Sequence, residues 1–373
     1  MSIATHLPHP RDLVRFGPHN DSHAVAVRAG ISVAAPLFTL TATGHAGWAV
    51  YAAFGAFVSL YGRMHGHRHR LHTQLAASAV LVAAVTLGAA IASIPATGIL
   101  RAAVLVLGCA AMATVASVVG DLTRWHPVGP LFAVFAVATC AETHGSGRDI
   151  LTACAVAAAS AMFATAIGQA GRLSRRRRMR PRALAQVGGL TELREPPVMR
   201  HALRYGGAIV VAGALATSVG IGHPGWAMVA AVVPLSVPDT PTRLLRAAHR
   251  VVGTLLGIVV AAGLLHLRLG GWELIALIVA LQVVTELFVG RNYGFAMLFI
   301  TPMALLMSTV AGHVDVGPLL RDRAVQTVIG AAVGITIALL SSEHRASVVA
   351  ARAEPSAPAP ASAPPLTQGA RAT

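Results

Sequence analysis

Every basic side chain in this 373-residue chain is an arginine; there are 29, and no lysine. That removes the amine a P-loop or a Schiff-base enzyme needs. It leaves guanidinium groups, always charged and able to hold a carboxylate through two parallel hydrogen bonds. Arg243, Arg246 and Arg250 lead into a glycine-containing apolar run, where they could attract a carboxylate or act as packing and orientation residues. Arg28 and Arg204 stand just inside two other apolar runs, and could draw in an anion or snorkel to a headgroup layer. For proton transfer the candidates are Glu286, Asp239, His45 and His223. Glu286 is the only carboxylate well inside an apolar run, where burial raises a carboxyl pKa, although it lies close to Arg291. Asp239 sits in a Pro238-Asp239-Thr240-Pro241 turn and could equally cap the helix that follows. His45 and His223 precede Trp48 and Trp226 by three residues. An imidazole titrates near neutrality, while the tryptophans fit an aromatic belt at a membrane surface.

Other chemistry is poorly supplied. The segment His65-Gly66-His67-Arg68-His69-Arg70-Leu71-His72 reads as a histidine-rich loop, but its arginines repel a cation, so no metal is expected. Cys109, Cys140 and Cys154 fall in apolar runs without paired spacing and read as small buried side chains. There is no HExxH, no nucleophile elbow and no catalytic carboxylate pair, so neither an enzyme nor a cofactor is expected.

The elements that must position these residues are membrane helices. The chain is 55% apolar and only 12% charged, with mean hydropathy +0.66. Apolar runs approach the length that crosses a hydrocarbon layer, and lipid forces such runs into helices. Twelve runs are read, at 24–43, 46–62, 73–94, 98–119, 127–141 and 149–170, then 201–220, 224–238, 250–267, 272–290, 293–312 and 322–341. The fold expected is all-α and polytopic: an N-terminal segment (1–23), a six-helix repeat (24–170), a basic linker (171–200), a second six-helix repeat (201–341) and a disordered tail (342–373). With the N-terminus inside, 22 arginines fall on the cytoplasmic side and five outside. That asymmetry places both termini in the cytoplasm of a bacterial plasma membrane. It also accounts for the net charge of +15 without nucleic acid; Arg175 to Arg178 would contact anionic lipid heads instead. Self-association is left open.

The halves repeat each other in parallel. Gly44-His45-Ala46-Gly47-Trp48-Ala49 matches Gly222-His223-Pro224-Gly225-Trp226-Ala227 at an offset of 178, which also aligns Arg68 with Arg246. Arg148-Asp149 matches Arg321-Asp322 at an offset of 173. Parallel repeats of this kind place a substrate path at their interface in many transporters.

The second half carries a denser pattern: Trp226, the Pro238-Asp239 turn, Arg250-Val-Val-Gly253-Thr254-Leu-Leu-Gly257, then Arg321-Asp322 opening the last run. It resembles the fusaric acid resistance (FUSC) family and the related aromatic acid exporters, well over 201–341 and weakly over 24–170. The first half lacks the arginine–glycine–threonine motif. The resemblance implies proton-coupled efflux of small organic acids, aromatic ones among them. A passive organic-anion channel of the same fold, or a non-transporting scaffold with a basic linker, are the other readings.

Overall fold

The computed structural model describes residues 9–18, 22–63, 66–143, 147–170, 196–237, 239–311 and 315–353, and every regular element among them is helical. After a short α1 (Pro10–Val14), the first half holds α2 (Ser22–Ala42), α3 (Ala49–Ala56), α4 (His67–Ala92), α5 (Gly98–Thr123), α6 (Leu131–Ala141) and α7 (Gly147–Ala170). The second holds α8 (Pro196–Ser218), α9 (Gly225–Leu235), α10 (Thr240–His266), α11 (Gly271–Phe288), α12 (Tyr293–Ala311) and α13 (Val316–Ala353). Each of the twelve apolar runs corresponds to one of α2 to α13. Among the described residues, eight helices are long and apolar enough to cross a membrane: α2, α4, α5, α7, α10, α11, α12 and α13. This is a helical membrane protein.

The three short segments, α3 with the 3-10 turn that follows it (Phe57–Leu60), α6 and α9, sit inside. Every residue of α3 and of α9 is buried, as is most of α6. A helix that meets protein on all sides need not match the thickness of the lipid, so eleven residues suffice there. The long helices surround them and turn large apolar side chains outward: Ile99, Leu107, Leu151, Met162, Val259 and Leu340 are all more than half exposed.

Packing follows one pattern twice. In the first half α4 lies on α6 and α7, α3 on α7, α5 on α6 and α2 on α3. In the second, α10 lies on α12 and α13, α9 on α13, α11 on α12 and α8 on α9. The same correspondence holds between the halves, where α2 meets α11 as α8 meets α5, and α3 meets α12 as α9 meets α6.

Small residues let these helices close up. A Cβ on Gly330 would collide with the Ala227 carbonyl oxygen, and one on Gly55 with that of Ala157. Gly253 and Gly257 play the same part between α10 and α12, facing Gly294, Met297 and Thr301, and Gly88 does so between α4 and α6. Such contacts are how helices gain packing energy where lipid supplies no hydrophobic drive.

A pair of buried arginines repeats as well. Arg70 donates from Nε to the Gly62 carbonyl (3.2 Å) and from Nη1 to that of Gly168 (3.2 Å). Arg243 donates from Nε to Val237 (2.9 Å) and from Nη1 to Ala338 (3.3 Å). Each ties the start of one long helix to the end of a short helix and to the last long helix of its half. The counterpart of Arg243 is therefore Arg70, at an offset of 173, and not a residue on the 178 offset that aligned Arg68 with Arg246.

Several boundaries differ from expectation. The histidine-rich segment is not a loop from 67 onward; Gly66 precedes α4, and His67 to His72 form its first turns. Residues 342–353 were expected to be disordered, yet they continue α13. Alanine and arginine favour helix, and extending an existing helix avoids the cost of nucleation. The N-terminal segment is not merely polar: Phe16 packs edge-on against Phe288 and Phe295. The Leu13 carbonyl accepts from Asn292 at 2.9 Å and lies 3.1 Å from Nε2 of His249. The body of the linker, 171–195, and residues 354–373 lie outside the described residues.

Candidate anion site and the polar clusters around it

The buried face of α10 carries Arg243, Ala247, Arg250, Gly253, Thr254, Gly257 and Ala261, the spacing that places residues on one side of a helix. Arg243 is committed to the backbone carbonyls above. Arg246 stacks over the Tyr293 ring at 4.9 Å. Arg250, only 3% exposed, donates from Nη1 to the Tyr293 hydroxyl at 3.1 Å and to Met297 Sδ at 3.6 Å, while its Nε finds no partner among the described residues. The three arginines thus do not form a single mouth; Arg250 points into the packed second half.

A residue absent from the sequence-based candidates completes the site. Arg323 on α13 is 1% exposed, lies over the Trp226 ring at 5.1 Å, and leaves Nε and Nη1 without partners among the described residues. It is near enough to Arg250 to feel its charge. The hydroxyls of Thr254, Thr301 and Thr327, all buried to 1% or less, also lack partners there. These groups stand on four helices that pack against one another, Trp226 on α9, Arg250 and Thr254 on α10, Thr301 on α12, and Arg323 and Thr327 on α13. No carboxylate of the described chain pairs with either arginine. Uncompensated charge inside a membrane bundle is costly. The first half has no such pair. Seven residues after Arg70, where α10 has Arg250, α4 has Ala77, and the 173 offset puts Ile150 opposite Arg323.

The remaining candidates take other parts. Glu286 is 5% exposed on α11 and pairs with Arg63 at 3.2 Å, with Gln282 at 3.3 Å. Because Arg63 belongs to the first half, this is a tie between halves. A second tie between the halves joins Asp121 on α5 to His201 on α8, at 3.2 Å. Arg28 lies near Arg70, and Arg204 lies on α8 beside Tyr205, whose hydroxyl donates to the Leu235 carbonyl at 3.2 Å. Asp239 is the N-cap of α10: its carboxylate accepts from the Thr242 backbone N–H at 2.9 Å, and those bonds hold it below the usual carboxylate range.

At the opposite end of the bundle, His45 stacks on Trp48 at 4.2 Å in an exposed position. His223 stacks on Trp226 at 4.6 Å, but Trp226 is 4% exposed. It is therefore not a surface anchor, because α9 is buried along its length. His223 Nδ1 lies 3.2 Å from Asp322, and Nε2 lies 3.9 Å from Glu142. Arg321 holds the other oxygen of Asp322 at 3.1 Å. A cavity of about 450 Å3 opens here between the halves, lined by Arg101, Leu105, Glu142, Thr217, Ile221 and His223 among others.

Residues 210–337 match the model of the family described as "Fusaric acid resistance protein-like". The chain is 29% identical over 140 residues to "Uncharacterized membrane protein YvaC" of Bacillus subtilis (strain 168), covering 37% of this chain and 22% of that protein. It is 29% identical over 139 residues to an "Uncharacterized protein" of Haemophilus influenzae, covering 37% of this chain and 19% of that protein. The match spans about a fifth of the length of these curated relatives. No solved structure matches the chain. Arg250, Arg323 and Trp226 thus all lie in the stretch that is similar to the fusaric acid resistance protein-like family.

Proposed function

We propose that this protein is a secondary transporter that exports small organic carboxylates, aromatic ones among them, across a bacterial plasma membrane in exchange for protons. The observation that carries the reading is the pair of buried guanidiniums, Arg250 and Arg323, with no carboxylate of the described chain to neutralise them. A carboxylate bound between them would satisfy donors that the fold leaves open, and the Trp226 ring beside Arg323 suits an aromatic body. The reading takes α2 to α13 as twelve spans in two parallel repeats of six with both termini cytoplasmic. The repeated packing and the repeated Arg70 and Arg243 clamps support it. It makes the protein a carrier and not an enzyme, and gives the arginine-rich linker to anionic lipid heads.

The test is counterflow in proteoliposomes, with labelled benzoate exchanged against a panel of unlabelled compounds. Aromatic and aliphatic carboxylates should compete and the corresponding amides should not. Equal competition by amides would remove the arginines from recognition. Flux that carries current without any response to an imposed pH gradient would replace the carrier with a channel. No flux for any acid would favour a scaffold.

A further inference from the structure

The motif shared by the halves is used differently in each. In the first copy a Cβ on Gly44 or Gly47 would meet nothing within 4 Å. In the second, a Cβ on Gly222 would stand 2.6 Å from Asp322 Oδ2, and one on Gly225 would stand 2.5 Å from the Ala138 Cβ of α6. The glycines of the second copy therefore let Asp322 come in behind His223, and let α9 press against the first half just ahead of Glu142. His223 itself sits at φ 57°, a left-handed conformation that a histidine adopts at a cost. The local backbone is strained, and the result is an imidazole aimed across the boundary between the halves.

The ring has two distinct sides. Asp322, held by Arg321, faces Nδ1 at 3.2 Å and so fixes a proton there. Nε2 is left as the acceptor, and it faces Glu142 Oε2 at 3.9 Å. We propose that Glu142 and His223 share a single transported proton, and that this proton is the clasp holding the two halves together beside the 450 Å3 cavity. With the proton present, either Glu142 donates to Nε2 or a charged imidazolium lies between two carboxylates; both arrangements attract. With it gone, the Glu142 carboxylate faces the Nε2 lone pair with Asp322 behind it, and the contact repels.

The surroundings of the pair agree. The groups facing it are Asp322 and Arg321 from α13, Glu142 from the end of α6 and Arg101 from α5. α8 contributes Thr217 and α9 the Trp226 ring, neither of them charged. The Tyr51 hydroxyl, the Asp149 carboxylate and the Cys109 and Cys140 thiols are the further titratable groups nearby. Loss of hydration pushes the Glu142 carboxyl up to about 7, against the pull of His223 and Arg101, although 31% of its side chain still meets the cavity. The proton is therefore held below neutrality and released above it. The role in exchange rests on the proposed transport; the clasp itself does not.

The test reads the clasp directly. Spin labels at Ile99→Cys and Val219→Cys, exposed positions at the two rims of the cavity, go into the full chain with its three cysteines replaced by alanine. Their separation is measured by pulsed electron resonance in nanodiscs from about pH 5.5 to 8.5, on both sides of the value to which Glu142 is raised. We expect the separation to lengthen with a midpoint near 7, Glu142→Gln to hold the short distance throughout, and His223→Asn, which tolerates the left-handed backbone, to hold the long one. A separation that ignores pH in the parent overturns the proposal whether or not the variants fold, as does a pH response that survives in both variants. Benzoate counterflow on the same samples separates the two ideas. A distance change without transport keeps the clasp and sinks the transporter, and transport without a distance change does the reverse.

Discussion

Replacing Arg250 with methionine should weaken carboxylate binding by one to two orders of magnitude and leave the fold at least as stable. The guanidinium uses Nη1 on the Tyr293 hydroxyl and on Met297 Sδ, and leaves Nε open. A hydrogen bond to a charged group contributes about 1.5–3 kcal/mol, or roughly 10- to 150-fold in Kd. Against that, the variant removes one of two buried positive charges that repel each other, and methionine fills nearly the same length with no polar group to satisfy. Lysine at the same position keeps the charge and loses the fork, so its affinity should fall between the two. The assay is calorimetric titration of benzoate into the protein in nanodiscs, paired with thermal unfolding of the same samples. Unchanged affinity in a folded methionine variant would refute the reasoning. So would a large loss of stability, because the bonds to Tyr293 and Met297 would then make Arg250 a structural residue.

Other outcomes follow from the packing. Gly330→Ala drives a methyl group into the Ala227 carbonyl and should cost about 3 kcal/mol or more by thermal unfolding, at the upper end for overpacking. In the motif copies, Gly225→Ala should destabilise while Gly47→Ala should not, since only Gly225 meets a neighbour. Asp239→Ala should cost about 1 kcal/mol through loss of an N-cap, with benzoate affinity unchanged. Because the folded-state pKa of Asp239 is lowered by its bonds to Thr242, its contribution is present above the ordinary carboxylate range and fades as pH falls through the lowered value. A melting profile across acid pH, compared with that of Asp239→Asn, checks the sign. Arg70→Ala and Arg243→Ala should both impair folding by similar amounts, since each breaks two buried charge-assisted bonds to carbonyls; expression and size-exclusion profiles read this.

Much of the fold lay in the sequence because a lipid-facing helix has to be apolar along its whole length. The eight long runs found helices for that reason, the three short ones because a helix buried on all sides is apolar all round, and helix ends slipped wherever polar residues extend a helix beyond the apolar run. Thus α4 begins at His67 and not near 73, α5 ends at Thr123 and not near 119, and α10 begins at Thr240 and not near 250. The second slip hid Asp121 as a helical residue. The kinship of Arg70 and Arg243 was hidden because the offset drops from 178 at the tryptophans to 173 after the turn between α3 and α4, so counting from the tryptophans selects Arg68. Arg323 was missed for a related reason. It stood at the start of a run and was counted among the outer arginines, whereas α13 begins at Val316 and carries it two turns inward. Its signal was the spacing to Trp226, which only the packing of α9 on α13 converts into contact. Glu142 lay one residue past an apolar run, and nothing in the sequence says that α9 of the other half ends its approach there.

Proton-coupled export requires the protein to drive a carboxylate uphill. Proteoliposomes with equal labelled benzoate inside and outside, placed in more acidic medium, provide the measurement, because uncharged acid leaks inward under that pH gradient while a proton-coupled exporter moves the anion outward. Net benzoate efflux against the leak is expected, abolished by a protonophore and strongly slowed in Arg250→Met. Efflux no faster than from protein-free liposomes, or movement that only follows the benzoate gradient, would contradict it.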